Sequence, residues 1–162
     1  MEVVSNLQKK GADLSSLAHL PYFCPVARIL AIDFGTKRCG IAVSDPLQII
    51  ANPLETVSSD QLEGFLIQYC KQEEVSTIVV GEPFHLDGNP AQIHPQVIRF
   101  VQRLKQLFPD KTVVTQDERF TSEDAKKIIL ASGVRKKKRR DKSLVDRVSA
   151  VLILQEYMES QR

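Results

Sequence analysis

The chain has no tryptophan, and its ten aromatic residues are seven phenylalanines and three tyrosines. They do not alternate with basic residues along any segment, so the sequence offers no stacking platform for unpaired bases. No apolar run approaches the roughly 20 residues a bilayer span requires. The N-terminus has no basic stretch leading into an apolar one, so neither a secretory signal nor a membrane partner is expected. The three cysteines, Cys24, Cys39 and Cys70, are odd in number and lack CxxC spacing. They read as reduced thiols in a cytoplasmic protein. His19, His85 and His94 share no ligand-like spacing, and none is assigned to a metal.

What is present is a chain of 162 residues, 43% apolar and 26% charged, enough to bury a full core without disulfides. The net charge of +2 conceals an asymmetry. The segment Arg135 to Lys142, RKKKRRDK, carries seven of the 22 basic residues, leaving 15 basic against 19 acidic residues elsewhere, a net of −4. A mildly acidic body therefore carries one strongly basic loop. Met1–Ala27 reads as an N-terminal extension, with a short helix, a flexible arm and an upstream start all open. Residues 28–159 read as one domain.

From Arg28 the pattern is regular. RILAID and GIAVSD are short apolar runs suited to buried strands, joined by FGTKRC in hairpin spacing. ANPLETV reads as a third strand, weakened at its start by Pro53. Leu62, Phe65, Leu66 and Tyr69 fall at helical spacing, with Ser58 and Gln61 in capping-box positions. STIVVGEP is a fourth strand. Val97, Ile98, Val101, Leu104 and Leu107 trace a second helix, and KTVVTQDER is a fifth strand. TSEDAKKIILAS predicts a third helix, Thr121 and Asp124 at its start and Gly133 at its stop. A closing helix follows, its apolar side predicted as Leu144, Val148, Val151, Leu152, Leu154 and Met158. The order β-β-β-α-β-α-β-α-α predicts an α/β mixed sheet flanked by helices, whose ligands collect at the carboxyl ends of the parallel strands.

Three acids fall at notable places in that layout. Asp33 ends the first strand, Glu118 ends the fifth, and Asp146 lies early in the closing helix. Each has a plainer reading. Asp before a glycine turn is a common turn former, and Asp146, three residues after Ser143, fits a capping box. Asp117 beside Glu118 would point to the opposite face of the strand. Glu82, ending the fourth strand, is either a further acidic ligand, a substitute for Glu118, or a surface residue beside a proline turn.

The motifs ILAIDFGTKRCGIAVSDP, IVVGEPFHLDG, DERFTS and DKSLVDRVSAVLILQEY, in this order, resemble those of the YqgF family, described as Holliday-junction-resolvase-like or as pre-16S rRNA nuclease. The match runs from about Arg28 to Tyr157. The resemblance implies an RNase H-like fold: a five-stranded mixed sheet with an antiparallel meander of three strands, two further strands parallel to the first, and helices on both faces. It also implies Asp33, Glu118 and Asp146 as the acidic active site. One departure is Glu82, where the family often has an apolar residue in GLP.

Phosphodiester hydrolysis needs a water-derived nucleophile and a stabilised leaving oxygen, which two Mg²⁺ or Mn²⁺ ions about 4 Å apart supply. Such hard cations take oxygen ligands, and converging carboxylates without metal should have raised pKa values. Thr36, Lys37, Arg38 and Arg119 are placed to meet substrate phosphates. Arg135, Lys136, Lys137, Lys138, Arg139, Arg140 and Lys142 would neutralise the backbone beside the site, giving affinity and salt dependence rather than sequence choice. A solvated loop or an import signal is the plainer reading of that run.

Three functions remain open: cleavage of precursor rRNA at its 5′ end, with ribosomal particles as partners; resolution of branched DNA; or nucleic-acid binding with a weak site. A resolvase should be a homodimer, whereas a processing enzyme works as a monomer. The motif DFGT also resembles the phosphate loop of actin-like ATPases, but those clamp nucleotide between two such domains and this chain has room for one.

Overall fold

The computed structural model describes residues 27–84, 89, 91–117, 125, 128, 130 and 142–162. Five strands, β1 (Arg28–Phe34), β2 (Arg38–Ser44), β3 (Ala51–Ser58), β4 (Val75–Glu82) and β5 (Thr112–Asp117), form one sheet in the order β3-β2-β1-β4-β5. The first three run as an antiparallel meander, and β4 and β5 lie parallel to β1. This is the mixed sheet the sequence predicts. Among the described residues, three continuous helices flank it: α1 (Leu62–Gln72), α2 (His94–Leu107) and α3 (Lys142–Ser160).

Strand alternation sorts the core into two layers. On one face Leu30, Ile32, Ile41, Ile78 and Val80 pack against Leu62 and Leu66 of α1 and Val97, Val101 and Leu104 of α2. On the other face Ile29, Ala31, Ala42 and Val79 pack against Ala150, Ile153, Leu154 and Met158 of α3. β1, central and hydrogen-bonded on both sides, is buried along most of its length. Pro53 sits on the edge strand β3, where a residue without an N–H is tolerated. A register shift opposite Ile41 and Ala42 leaves Leu54 as the extra residue.

Three sequence expectations change. α1 begins at Leu62, and Gln61 precedes it with no side-chain cap. Ser58 instead ends β3 and its carbonyl accepts the Gln61 N–H at 3.0 Å, so the box spacing marks a turn. Ser143 lies inside α3, which places Asp146 in the second turn and removes its capping role. The buried stripe of α3 is Ala150, Ile153, Leu154 and Met158, while Leu144, Val148, Val151 and Leu152 are only partly covered. The apolar residues of that helix are spread around its axis rather than along one stripe, so periodicity alone does not select its inward face. The Met1–Val26 part of the extension, the third helix apart from Ala125, Ile128 and Leu130, and the basic loop before Lys142 lie outside the described residues. No described helix is long and apolar enough to cross a membrane.

Candidate active site

Asp33 is the penultimate residue of β1, and its direction is set by its neighbours. Ile32 faces the α1–α2 layer, and Phe34 stacks on Phe100 of α2 with ring centroids 4.7 Å apart. Asp33, between them, must face α3. Its register partner on β2 is Gly40. A Cβ at Gly40 would collide with the backbone carbonyl of Asp146. The missing side chain therefore lets α3 settle onto β2 at this point and delivers Asp146 beside Asp33.

Electrostatics records the approach. The Asp33 carboxyl is pushed up to about 7, first by burial and then by the negative charge of Asp146. Ser149, one helical turn beyond Asp146, partly offsets the rise. Its hydroxyl is buried and makes no hydrogen bond of ordinary geometry, so its influence on Asp33 is that of a nearby dipole. Arg38 supplies the countercharge: its Nε lies 2.9 Å from Asp146 Oδ2.

The hairpin turn that follows Asp33 is pinned from below. Ser59 donates its hydroxyl to the Gly35 carbonyl at 2.6 Å and its N–H to the Lys37 carbonyl at 3.2 Å. The buried Cys39 thiol packs against the same Gly35 carbonyl at 3.6 Å. At Gly35 a side chain would meet the Arg38 carbonyl, so glycine is required there. Thr36 and Lys37 are left exposed at the tip. On the far side Arg147 reaches Thr56 Oγ1 at 3.5 Å and Ser143 Oγ at 3.4 Å, and Thr56 donates to the Ser143 carbonyl at 2.9 Å, tying the start of α3 to β3.

The structure thus brings Asp33, Asp146 and Arg38 together, and places Lys142 exposed at the start of α3. It does not bring Glu82 to them. Glu82 shares the α1–α2 face with Ile78 and Val80, and its Oε1 lies 2.7 Å from His94 Nε2 at the start of α2. Asp117 is its register partner on β5 and falls on that same face, away from Asp33. Glu118, Arg119 and Arg135 through Arg140 lie outside the described residues. Sequence reasoning passed over Gly40 and Ser149. A glycine inside a buried strand signals close backbone approach, and a serine three residues after an acid shares its helix face.

The donors suit a hard divalent cation. Two carboxylates and an orphaned buried hydroxyl are all oxygen, the ligand set of Mg²⁺ or Mn²⁺. Among the described residues no group of three or more His, Cys, Asp or Glu side chains gathers as a metal cluster, so a third acid would have to come from elsewhere.

A five-stranded sheet of this order, three strands antiparallel and two parallel to the first, has the RNase H-like fold. Solved structures agree on the fold. T. thermophilus RuvC in complex with a Holliday junction substrate superposes with TM-score 0.54 at 14% identity, covering 83% of this chain and 96% of that one. The fowlpox virus Holliday junction resolvase gives 0.51 at 12%, covering 82% and 99%. The chain belongs to the family described as "RuvX: Holliday junction resolvase", which matches residues 27–160. Its relatives include proteins named "Putative pre-16S rRNA nuclease" from Phocaeicola vulgatus, 45% identical, and Bacteroides fragilis, 46% identical. Each alignment runs over 137 residues, 85% of this chain and 99% of the relative.

Proposed function

We propose that this protein is a divalent-metal-dependent nuclease that trims the 5′ end of precursor 16S rRNA in the cytoplasm, working on ribosomal particles. Residues 28–159 are its single nuclease domain and 1–27 an added extension. Membership in a family of nuclease and resolvase relatives supports nucleic-acid hydrolysis. The observation that carries the reading is the meeting of Asp33 and Asp146 across Gly40, where burial and mutual repulsion hold Asp33 partly protonated near neutral pH.

In this reading Asp33, Asp146 and Glu118 hold the cations. Bound there, Mg²⁺ or Mn²⁺ would supply a water of lowered pKa and a positive clamp on the scissile phosphate. The chain's own contribution is rigidity. Asp33 is fixed by a strand bonded on both sides, and Asp146 by a helix seated on glycine. Ser149 presents a hydroxyl dipole to the pair. Thr36 and Lys37 at the hairpin tip, with Arg119, the basic residues from Arg135 to Arg140 and Lys142, bind backbone phosphates and hold the substrate across the site.

The test is cleavage of precursor rRNA fragments and four-way DNA junctions in parallel, with Mg²⁺, Mn²⁺ or EDTA, by wild type and Asp33→Asn. Metal-dependent cutting of the RNA, lost by at least about a hundredfold in the variant, is the expected result. Preferential junction cleavage would favour the resolvase reading, which the family description and the junction-bound structural neighbour support. Binding without cleavage of either would make the protein a nucleic-acid-binding module.

A further inference from the structure

The acid pair carries more charge than the cation beside it. Arg38 meets Asp146 through a single nitrogen, and no described cation makes a direct ion pair with Asp33. Arg147, adjacent in sequence, is directed to Thr56 and Ser143 instead. One guanidinium facing two carboxylates leaves a deficit that a divalent cation would fill.

Arg38 is also built to leave. Its side chain is 43% exposed while that of Asp146 is 22% exposed. Contact through Nε alone forgoes the two-pronged grip that makes arginine–carboxylate pairs strong. Arginine cannot lose its proton, so displacement from Asp146 frees a full charge with its planar fork of donors intact. That charge sits on the first residue of β2, beside the exposed Thr36 and Lys37.

We propose that Arg38 is an exchangeable counter-ion, holding Asp146 until a divalent cation takes that carboxylate and then passing to a phosphate of the nucleic acid. Metal and substrate thereby strengthen each other's binding, because whichever arrives first has already released Arg38 for the other, and linkage makes the effect reciprocal. The inference rests on the divalent-metal reading of the acid pair and adds to it a coupling carried by one side chain.

The experiment is Mn²⁺ binding to the full chain without nucleic acid, by calorimetry, for wild type, Arg38→Ala, Arg38→Lys and Asp33→Asn. Affinity for a four-way junction and an rRNA fragment is then measured with and without Ca²⁺. Arg38→Ala should bind Mn²⁺ about two- to fivefold more tightly, since its competitor is gone. The same variant should bind nucleic acid more weakly and lose the Ca²⁺ enhancement. Arg38→Lys, which keeps the charge, should bind Mn²⁺ as wild type does. Opposite signs for metal and nucleic acid separate this exchange from a merely structural role, which would weaken both. Arg38→Ala binding Mn²⁺ no more tightly than wild type, or keeping the full Ca²⁺ enhancement, would overturn the exchange. Equal Mn²⁺ binding by wild type and Asp33→Asn would instead remove the metal reading and this inference with it.

Discussion

Asp33 is a carboxylate at the end of an otherwise apolar strand, and the fold bears a measurable penalty for it. Burial and the neighbouring charge of Asp146 push its carboxyl up to about 7, against an ordinary value of 3.8. Between those values the folded state holds a proton the unfolded state has released, so the contribution to stability is complete below the lower value and fades as pH rises through the upper one. In EDTA, wild type should therefore lose roughly 1–4 kcal/mol relative to Asp33→Asn between pH 5 and 8. Parallel denaturation curves for the two proteins across that range would show that Asp33 ionises as freely as in an unfolded chain. Asp33 was legible because a charge ending a buried strand stands out against its neighbours. Its partner Ser149 was not, because a serine in an apolar helix looks the same whether its hydroxyl faces an acid or a backbone carbonyl. Glu82 read as ambiguous because its partner, His94, lies twelve residues further along the chain.

Elements, rather than single side chains, decide whether the acids meet. The seat of α3 on β2 depends on the absence of a side chain at Gly40. Gly40→Ala should lower stability by about 1–3 kcal/mol as the helix is forced outward, and should reduce cleavage further than that loss explains, even at temperatures where the variant stays folded. Denaturant midpoints alongside cleavage rates provide the check; a variant matching wild type in both would mean that α3 tolerates the extra methyl by sliding. Element types and order were plain from alternation and helical spacing, since β1, β2 and β4 are continuous apolar runs. Boundaries and faces were less so. Ser58 with Gln61 and Ser143 with Asp146 both have capping-box spacing, yet one pair closes a turn and the other sits inside a helix. Local spacing cannot separate these cases; what packs on the segment does. The inward face of α3 was hidden for the same reason, its stripe being chosen by the sheet it covers.

At the scale of the whole molecule, charge and topology work together. Outside Arg135–Lys142 the chain is net negative, 15 basic residues against 19 acidic, so the proposed reading assigns most of the grip on nucleic acid to that one basic segment and the hairpin tip. Replacing four of its lysines and arginines by glutamine should flatten the salt dependence of binding, by about 0.7–0.9 in log–log slope for each phosphate no longer neutralised. Binding titrations from low to moderate NaCl test this, and an unchanged slope would assign the segment to another task. The architecture itself was readable because hairpin, crossover helices and closing helix follow one another in simple order. The same order has a consequence in time. Arg38 and Asp146 stand 108 residues apart in the chain and meet only when α3 packs on the first hairpin. As synthesis proceeds, β1 and β2 exist long before the helix that covers them, with Ile29, Ala31 and Ala42 uncovered and Asp33 alone. The acid pair cannot form before residue 146 has been added, so a nascent chain that has already built most of its sheet holds only one of the two facing carboxylates.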